Sequence, residues 1–148
     1  MRPAWTEEQR RARAYLDALH DQRSGVYQRI DQIRRLREDA QTVRGSRPRE
    51  GSRSTGPSDH LGAAAARIAD LEADLDRAFL EYIEADSAAV DQLSQLDPAQ
   101  SRILSLHYLD GRTFEAIADD TARSLRGVHA LHVKGLQALG ERLTRPPV

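Results

Sequence analysis

From Trp5 to Val43 the apolar residues return every seven positions. Trp5, Ala12, Leu19, Val26, Ile33 and Ala40 share one register, Tyr15, Leu36 and Val43 fall three later, and Leu16 and Ile30 widen the stripe. A repeat of this length predicts one long amphipathic helix with a coiled-coil-like seam, started by Pro3 or Thr6. Gly25 is its weak point, at a cost of about 1 kcal/mol relative to alanine. Residues 44–60, RGSRPREGSRSTGPSDH, abandon the repeat and hold nothing apolar to bury, which predicts a flexible loop. The pattern resumes with Leu61, Ile68, Leu75, Tyr82, Ala89 and Leu96, and Ala64, Leu71, Ala78 and Ala85 fill the second seam position. Residues 1–96 therefore read as an antiparallel helical hairpin, or as a dimer built on the same seams.

Beyond residue 96 the periodicity shortens and helix signals crowd together. Asp97 can cap a helix that has Pro98 at its first position, where the missing N–H costs nothing, and Gln100 can complete a capping box. Ile103, Leu104, Leu106, His107 and Tyr108 form its apolar side, and Asp110-Gly111 ends it. Thr113 caps a short helix from Phe114 to Asp120, with Phe114, Ile117 and Ala118 facing inward. Ser124 caps a third that extends to about Leu143, with Val128, Leu131, Gly135, Leu136 and Leu139 inside. The expected fold is all-α: a long N-terminal helical hairpin (residues 1–96), then a three-helix, helix-turn-helix module (residues 97–148).

Charge sharpens this picture. The chain is nearly neutral overall, yet residues 1–44 carry ten Arg against seven Asp/Glu, and residues 61–97 carry two Arg against nine Asp/Glu. Opposite signs on the two long helices would select their orientation more than stabilise them. Residues 121–148 hold Arg123, Arg126, Lys134, Arg142 and Arg145 against Glu141 alone, so the last helix is basic where a DNA-facing surface needs it. Cysteine is absent, which removes disulfide frameworks and thiolate metal sites. No apolar run approaches the roughly 20 residues of a membrane span. The polar start MRPAWTEEQRR is no signal peptide, and a cytoplasmic location is expected. Asp70, Glu72, Asp74 and Asp76 imitate the alternation of a calcium loop but lack its turn glycine and keep helical spacing, so no metal is expected there.

In a helix-turn-helix the start of the third helix projects and can enter a major groove. Side chains on its first two turns then reach base edges, while capped N-termini and nearby cations hold phosphate. Here Arg126, His129 and Ala130 are the base-edge candidates. Arg112, Thr113, Arg123, His132 and Lys134, with the helix start capped by Ser124, are the expected backbone contacts. His107, His129 and His132 lack a further placed ligand and read as no metal site, and Trp5 reads as an anchor of the hairpin.

The stretch YLDGRTFEAIADDTARSLRGVHALHVKGLQAL resembles region 4 of sigma-70-type factors at Tyr108, Gly111, Thr113, Ile117-Ala118, Ser124, Val128 and Leu136. It is similar also to small phage and prophage sigma-like regulators of the DUF1492/ArpU type, through Phe114, Ser124, Val128, Leu131-His132 and Leu136 and through the preceding helix-loop-helix. The resemblance implies a DNA-binding transcription regulator of a phage or mobile element, acting with host RNA polymerase on double-stranded DNA. It departs from the usual pattern at the turn, where Ala122 replaces Gly or Asn; a left-handed alanine there costs about 1 kcal/mol. Thr121 and Arg123 replace apolar residues, Gly127 falls early in the reading helix, and Gly135 replaces Ala. No phosphate loop, nucleophile beside a base, or cofactor signature is present, so neither an enzyme nor a cofactor is expected. Two other readings share this layout: a DNA-packaging component of small-terminase type, and a coiled-coil interaction protein with a vestigial module. A homodimer through the N-terminal helices fits any of them.

Overall fold

The computed structural model describes residues 4–45 and 56–145. It is all-α, with no strand among the described residues: α1 (Glu7–Gly45), α2 (Gly56–Ser94), α3 (Pro98–Leu104), α4 (Phe114–Thr121) and α5 (Leu125–Thr144). Most of the expected loop, residues 46–55, lies outside the described residues; α1 runs on through Gly45 and α2 begins at Gly56, five residues before Leu61. Of the two candidate starts for α1, Pro3 also lies outside, and Thr6 acts as the cap. Gln9 N–H donates to Thr6 Oγ1 at 3.1 Å while Thr6 N–H donates to Gln9 Oε1 at 3.0 Å, a reciprocal capping box. No helix among the described residues is long and apolar enough to cross a membrane.

The chain divides into two compact units. The first joins Met1–Asp21 to Ile83–Val148 and holds both core clusters. Asp97 Oδ2 accepts from Ala99 N–H at 3.2 Å and starts α3, as its sequence predicts. The helix then widens into a single π-helical turn, Ser105–Leu109, in which Asp110 N–H reaches Ser105 O at 3.1 Å. Gly111, at φ 71°, ends it in the left-handed region that glycine alone enters freely. In the larger core, Leu104 and Tyr108 from this stretch meet Leu136 and Leu139 of α5. Ala12 and Leu16 from α1, with Leu93 and Leu96 at the end of α2, complete the cluster. Each fully buried leucine contributes about 2 kcal/mol.

The first turns of α1 thus help close the core of the C-terminal helices, a role their heptad pattern does not announce. The approach is close at Gly140, where a Cβ would collide with the backbone carbonyl of Glu8. Beside it Thr6 Oγ1 donates to Gln137 Oε1 at 2.6 Å. Glycine mid-helix costs about 1 kcal/mol relative to alanine, and here that cost permits a backbone contact no larger residue would allow.

The second unit, Gln22–Tyr82, holds the later part of α1 and the earlier part of α2. The seam residues Val26 and Ile33 of α1 and Leu71 of α2 are its buried apolar side chains among the described residues. Arg37 of α1 pairs with Glu72 of α2, joining the basic helix to the acidic one.

Gly140→Ala should lower stability by about 1–3 kcal/mol, the usual penalty of an overfilled contact. Gly62, exposed on α2 with open space where a Cβ would go, supplies the control. Gly62→Ala should leave Tm unchanged or raise it. Equal Tm shifts for the two variants in thermal melts would refute the close crossing.

Candidate nucleic-acid interface

Helices α4 and α5 are started by the two hydroxyls expected to cap them. Thr113 Oγ1 accepts from Ala116 N–H at 3.1 Å, and Ser124 Oγ accepts from Gly127 N–H at 3.0 Å. Between them the chain turns through Ala122, which adopts φ 54° and ψ 39°, the left-handed conformation that is costly for an alanine. Arg123 N–H closes the turn on Ala118 O at 3.0 Å. The strain of an alanine held there is offset by this backbone bonding and by the packing beneath it. That packing is a small core of Ile103, Ile117, Ala118 and Val128, flanked by Leu106, Phe114 and Leu131. Thr121 adds nothing apolar to this core; its hydroxyl donates to Ile117 O at 2.7 Å.

This geometry leaves the start of α5 projecting. Ser124, Leu125, Arg126, His129, Ala130, Val133 and Lys134 are all exposed. Arg126, Ala130 and Lys134 are spaced by four and form one ridge; Leu125, His129 and Val133 form the next. These two ridges line one wall of an open groove of about 1540 Å³, and Trp5, Gln9, Arg13 and Asp17 of the N-terminal segment line it as well. Arg13 lies over the Trp5 ring at 5.1 Å and contacts Asp17 at 3.5 Å.

Aromatic rings also line the groove. Phe114 stacks on His107 with centroids 4.0 Å apart and approaches His129 at 4.7 Å and His132 at 4.8 Å. His107 Nδ1–H donates to Arg112 O at 2.8 Å, tying the π-helical turn to the entry of α4. His132 requires a correction. Expected on the phosphate-facing surface, it is 5% exposed, and its Nε2 shares a 2.8 Å hydrogen bond with the Tyr108 hydroxyl. Burial, then the neighbouring His107, His129 and Arg13, lower its pKa to about 4. Burial foremost, with the nearby charge of Asp17, pushes the Tyr108 phenol up to about 12. Both partners are therefore neutral near pH 7, and the pair is a core contact.

Of the remaining candidates, Arg126, His129, Ala130 and Lys134 come together on the groove wall. Arg112, Thr113, Arg123 and Ser124 are exposed near the two helix starts but outside the groove. Arg112 is ion-paired with Asp120. Arg13 and Trp5 share the groove and were missed as site residues, since seven-residue spacing assigns Trp5 to the hairpin seam and marks Arg13 as outer surface. The arginines of the first half of α1, Arg10, Arg11, Arg13 and Arg23, offer no sequence signal that singles out Arg13.

The class defined by this arrangement is a helix-turn-helix. Comparison with known families agrees: residues 92–141, from the last turn of α2 into the last turns of α5, match Sigma-70, region 4, a DNA-binding domain, so this stretch is a sigma-70 region 4-like helix-turn-helix. No curated protein and no solved structure matches the chain.

Two outcomes follow from the geometry. Ala122→Gly should raise stability by about 1 kcal/mol, read as a higher urea midpoint, since glycine carries no left-handed penalty; a lowered midpoint would mean that this turn is unstrained. For His132 the unfolded chain binds a proton near pH 6.5 and the folded one only near pH 4. The folded state binds fewer protons between these values, so the contribution is intact above pH 6.5 and is lost as pH falls toward 4, by roughly 3 kcal/mol. His132→Gln, which cannot titrate, should flatten the urea midpoint across that window; an unchanged slope would show that other groups carry it.

Proposed function

We propose that the chain is a DNA-binding transcription regulator, encoded by a phage or mobile element, that acts in the cytoplasm with host RNA polymerase at promoters. The observation that carries this reading is the exposed ridge of Arg126, Ala130 and Lys134 at the capped start of α5, in a module matching sigma-70 region 4. A guanidinium there can bind guanine O6 and N7 in a two-pronged contact, His129 can reach an adjacent base edge, and Ala130 can meet a thymine methyl. Lys134, one turn further along, serves phosphate, together with Thr113, Ser124 and Arg123 at the helix starts. Arg112 joins them by exchanging Asp120 for a phosphate oxygen. His132 is withdrawn from the set, and Arg13, which also lines the groove, replaces it by exchanging Asp17 for a phosphate oxygen. The resemblance to sigma-like regulators supports the polymerase as partner, with the less basic α3–α4 side of the module free to meet it.

Selection of bound duplexes from a random pool, repeated at two salt concentrations, tests the reading. One motif should emerge, with affinity falling steeply as salt rises. Arg126→Ala should relax one or two positions at a cost of about 1–3 kcal/mol. Lys134→Ala and Arg13→Ala should weaken all sequences alike and reduce the salt slope by about 1 each. Unaltered motif and affinities in all three variants would sink the assignment, and transcription from a motif-bearing promoter that ignores the protein would sink the partnership with polymerase.

A further inference from the structure

The unit Gln22–Tyr82 is poorly buried. Both core clusters lie outside it, and its buried apolar side chains are Val26, Ile33 and Leu71 among the described residues. Against these, Tyr27, Ile30, Phe79 and Leu80 are 44–61% exposed. Long helices owe most of their stability to packing of an apolar face, and two helices alone give each other little of it.

The exposed residues are not scattered. Ile30, Ile33 and Leu75 line one groove of about 350 Å³ with Arg34, Arg37 and Glu72. Tyr27 lies three residues before Ile30 and Phe79 four after Leu75, so each adjoins this groove on its own helix. One apolar strip therefore crosses both helices on a single face, while Leu80, about 100° further round α2, stays apart from it. The pairing of Arg37 with Glu72 sets the height of each residue. Ile30 is seven residues before Arg37 and Phe79 seven after Glu72, so in an antiparallel hairpin they lie side by side, two turns below that pair.

Charge decides what covers the strip. Between residues 22 and 42, α1 carries five arginines against three acids; between 61 and 82, α2 carries five acids against two arginines. Two neighbouring helices, one net basic and one net acidic, are complementary to a second such pair after a half-turn about an axis parallel to the helices. We propose that this face is completed by a second copy of the chain, as a four-helix bundle in which α1 of each copy lies on α2 of the other. A half-turn about a perpendicular axis would instead set α1 on α1, arginines against arginines. A face about 35 Å long and two helices wide supplies roughly 700 Å², close to what a standard interface buries per partner. In this arrangement Ile30 of one copy meets Phe79 of the other.

The test needs no DNA and stands apart from the proposed regulatory role. Sedimentation equilibrium of the full chain at tens of micromolar should give twice the 16.6 kDa chain mass. The double variant Ile30→Glu, Phe79→Glu should sediment as a monomer; both sites are already exposed, and unchanged helicity by circular dichroism would show that the fold survives. Because the chain has no cysteine, single variants report orientation cleanly. An oxidised mixture of Ile30→Cys and Phe79→Cys chains should yield the mixed disulfide well above either like pair. A monomeric wild type, a double variant that stays dimeric, or like pairs in excess would each overturn the proposal. So would a chain that gains mass only when RNA polymerase is added, which would give the face to the polymerase.

Discussion

The C-terminal module cannot close its own core. Leu104, Tyr108, Leu136 and Leu139 belong to a cluster finished by Ala12 and Leu16 of α1 and by Leu93 and Leu96 of α2. Without those four side chains, leucines that are now fully buried would face water at about 2 kcal/mol each. The crossing that brings α1 in rests on Gly140, whose missing side chain lets the backbone at Glu8 come down onto α5. Everything on the groove wall inherits this constraint, because the helix that carries Arg126, Ala130 and Lys134 is the helix that α1 braces from the other end.

The buried Tyr108–His132 pair sits where these elements converge. A polar pair in a core contributes little net stability but is expensive to leave unsatisfied, so it favours one arrangement of its surroundings over near alternatives. His132 approaches Trp5 at 6.0 Å and Phe114 at 4.8 Å, and Phe114 in turn meets the exposed His129 at 4.7 Å. Rings in contact thus run from the N-terminal segment to the outward ridge of α5. A change in how the start of α1 sits would be felt at His129 through packing alone.

Legibility in the sequence followed the kind of force involved. Heptad spacing marked Ala12, Leu19, Val26 and Ile33, all of which are buried. Hydroxyl and carboxylate caps at Asp97, Thr113 and Ser124 were equally plain, because such signals act within a few residues. What escaped depends on segments far apart in the chain. His132 lies three residues from the exposed His129 and looks like its neighbour on the surface until Tyr108 and Trp5 cover it. Gly140 looks like a mere weakness in a helix, since its value lies in a partner 132 positions away. Arg13 gains its place only from the groove formed with α5.

The ion pairs show why the last helix stands out electrostatically despite its modest charge. On the long helices, arginines tend to find an acid within reach: Arg11 with Glu7, Arg13 with Asp17, Arg34 with Asp31, Arg77 with Asp74, and Arg37 with Glu72. Such exposed pairs contribute little to stability, but they cancel each other's field at a distance. Arg123, Arg126 and Lys134 form no salt bridge among the described residues. Glu141, the single acid of residues 121–148, lies two turns beyond Lys134 and accepts instead from Gln137 Nε2 at 3.0 Å. The exposed cations Arg123, Arg126 and Lys134 are thus left without a paired acid among the described residues, and the N-terminus of α5 adds a partial positive charge of its own. A chain of nearly zero net charge can in this way present one face that attracts a polyanion, and that face is the one the helix-turn-helix geometry holds out to solvent.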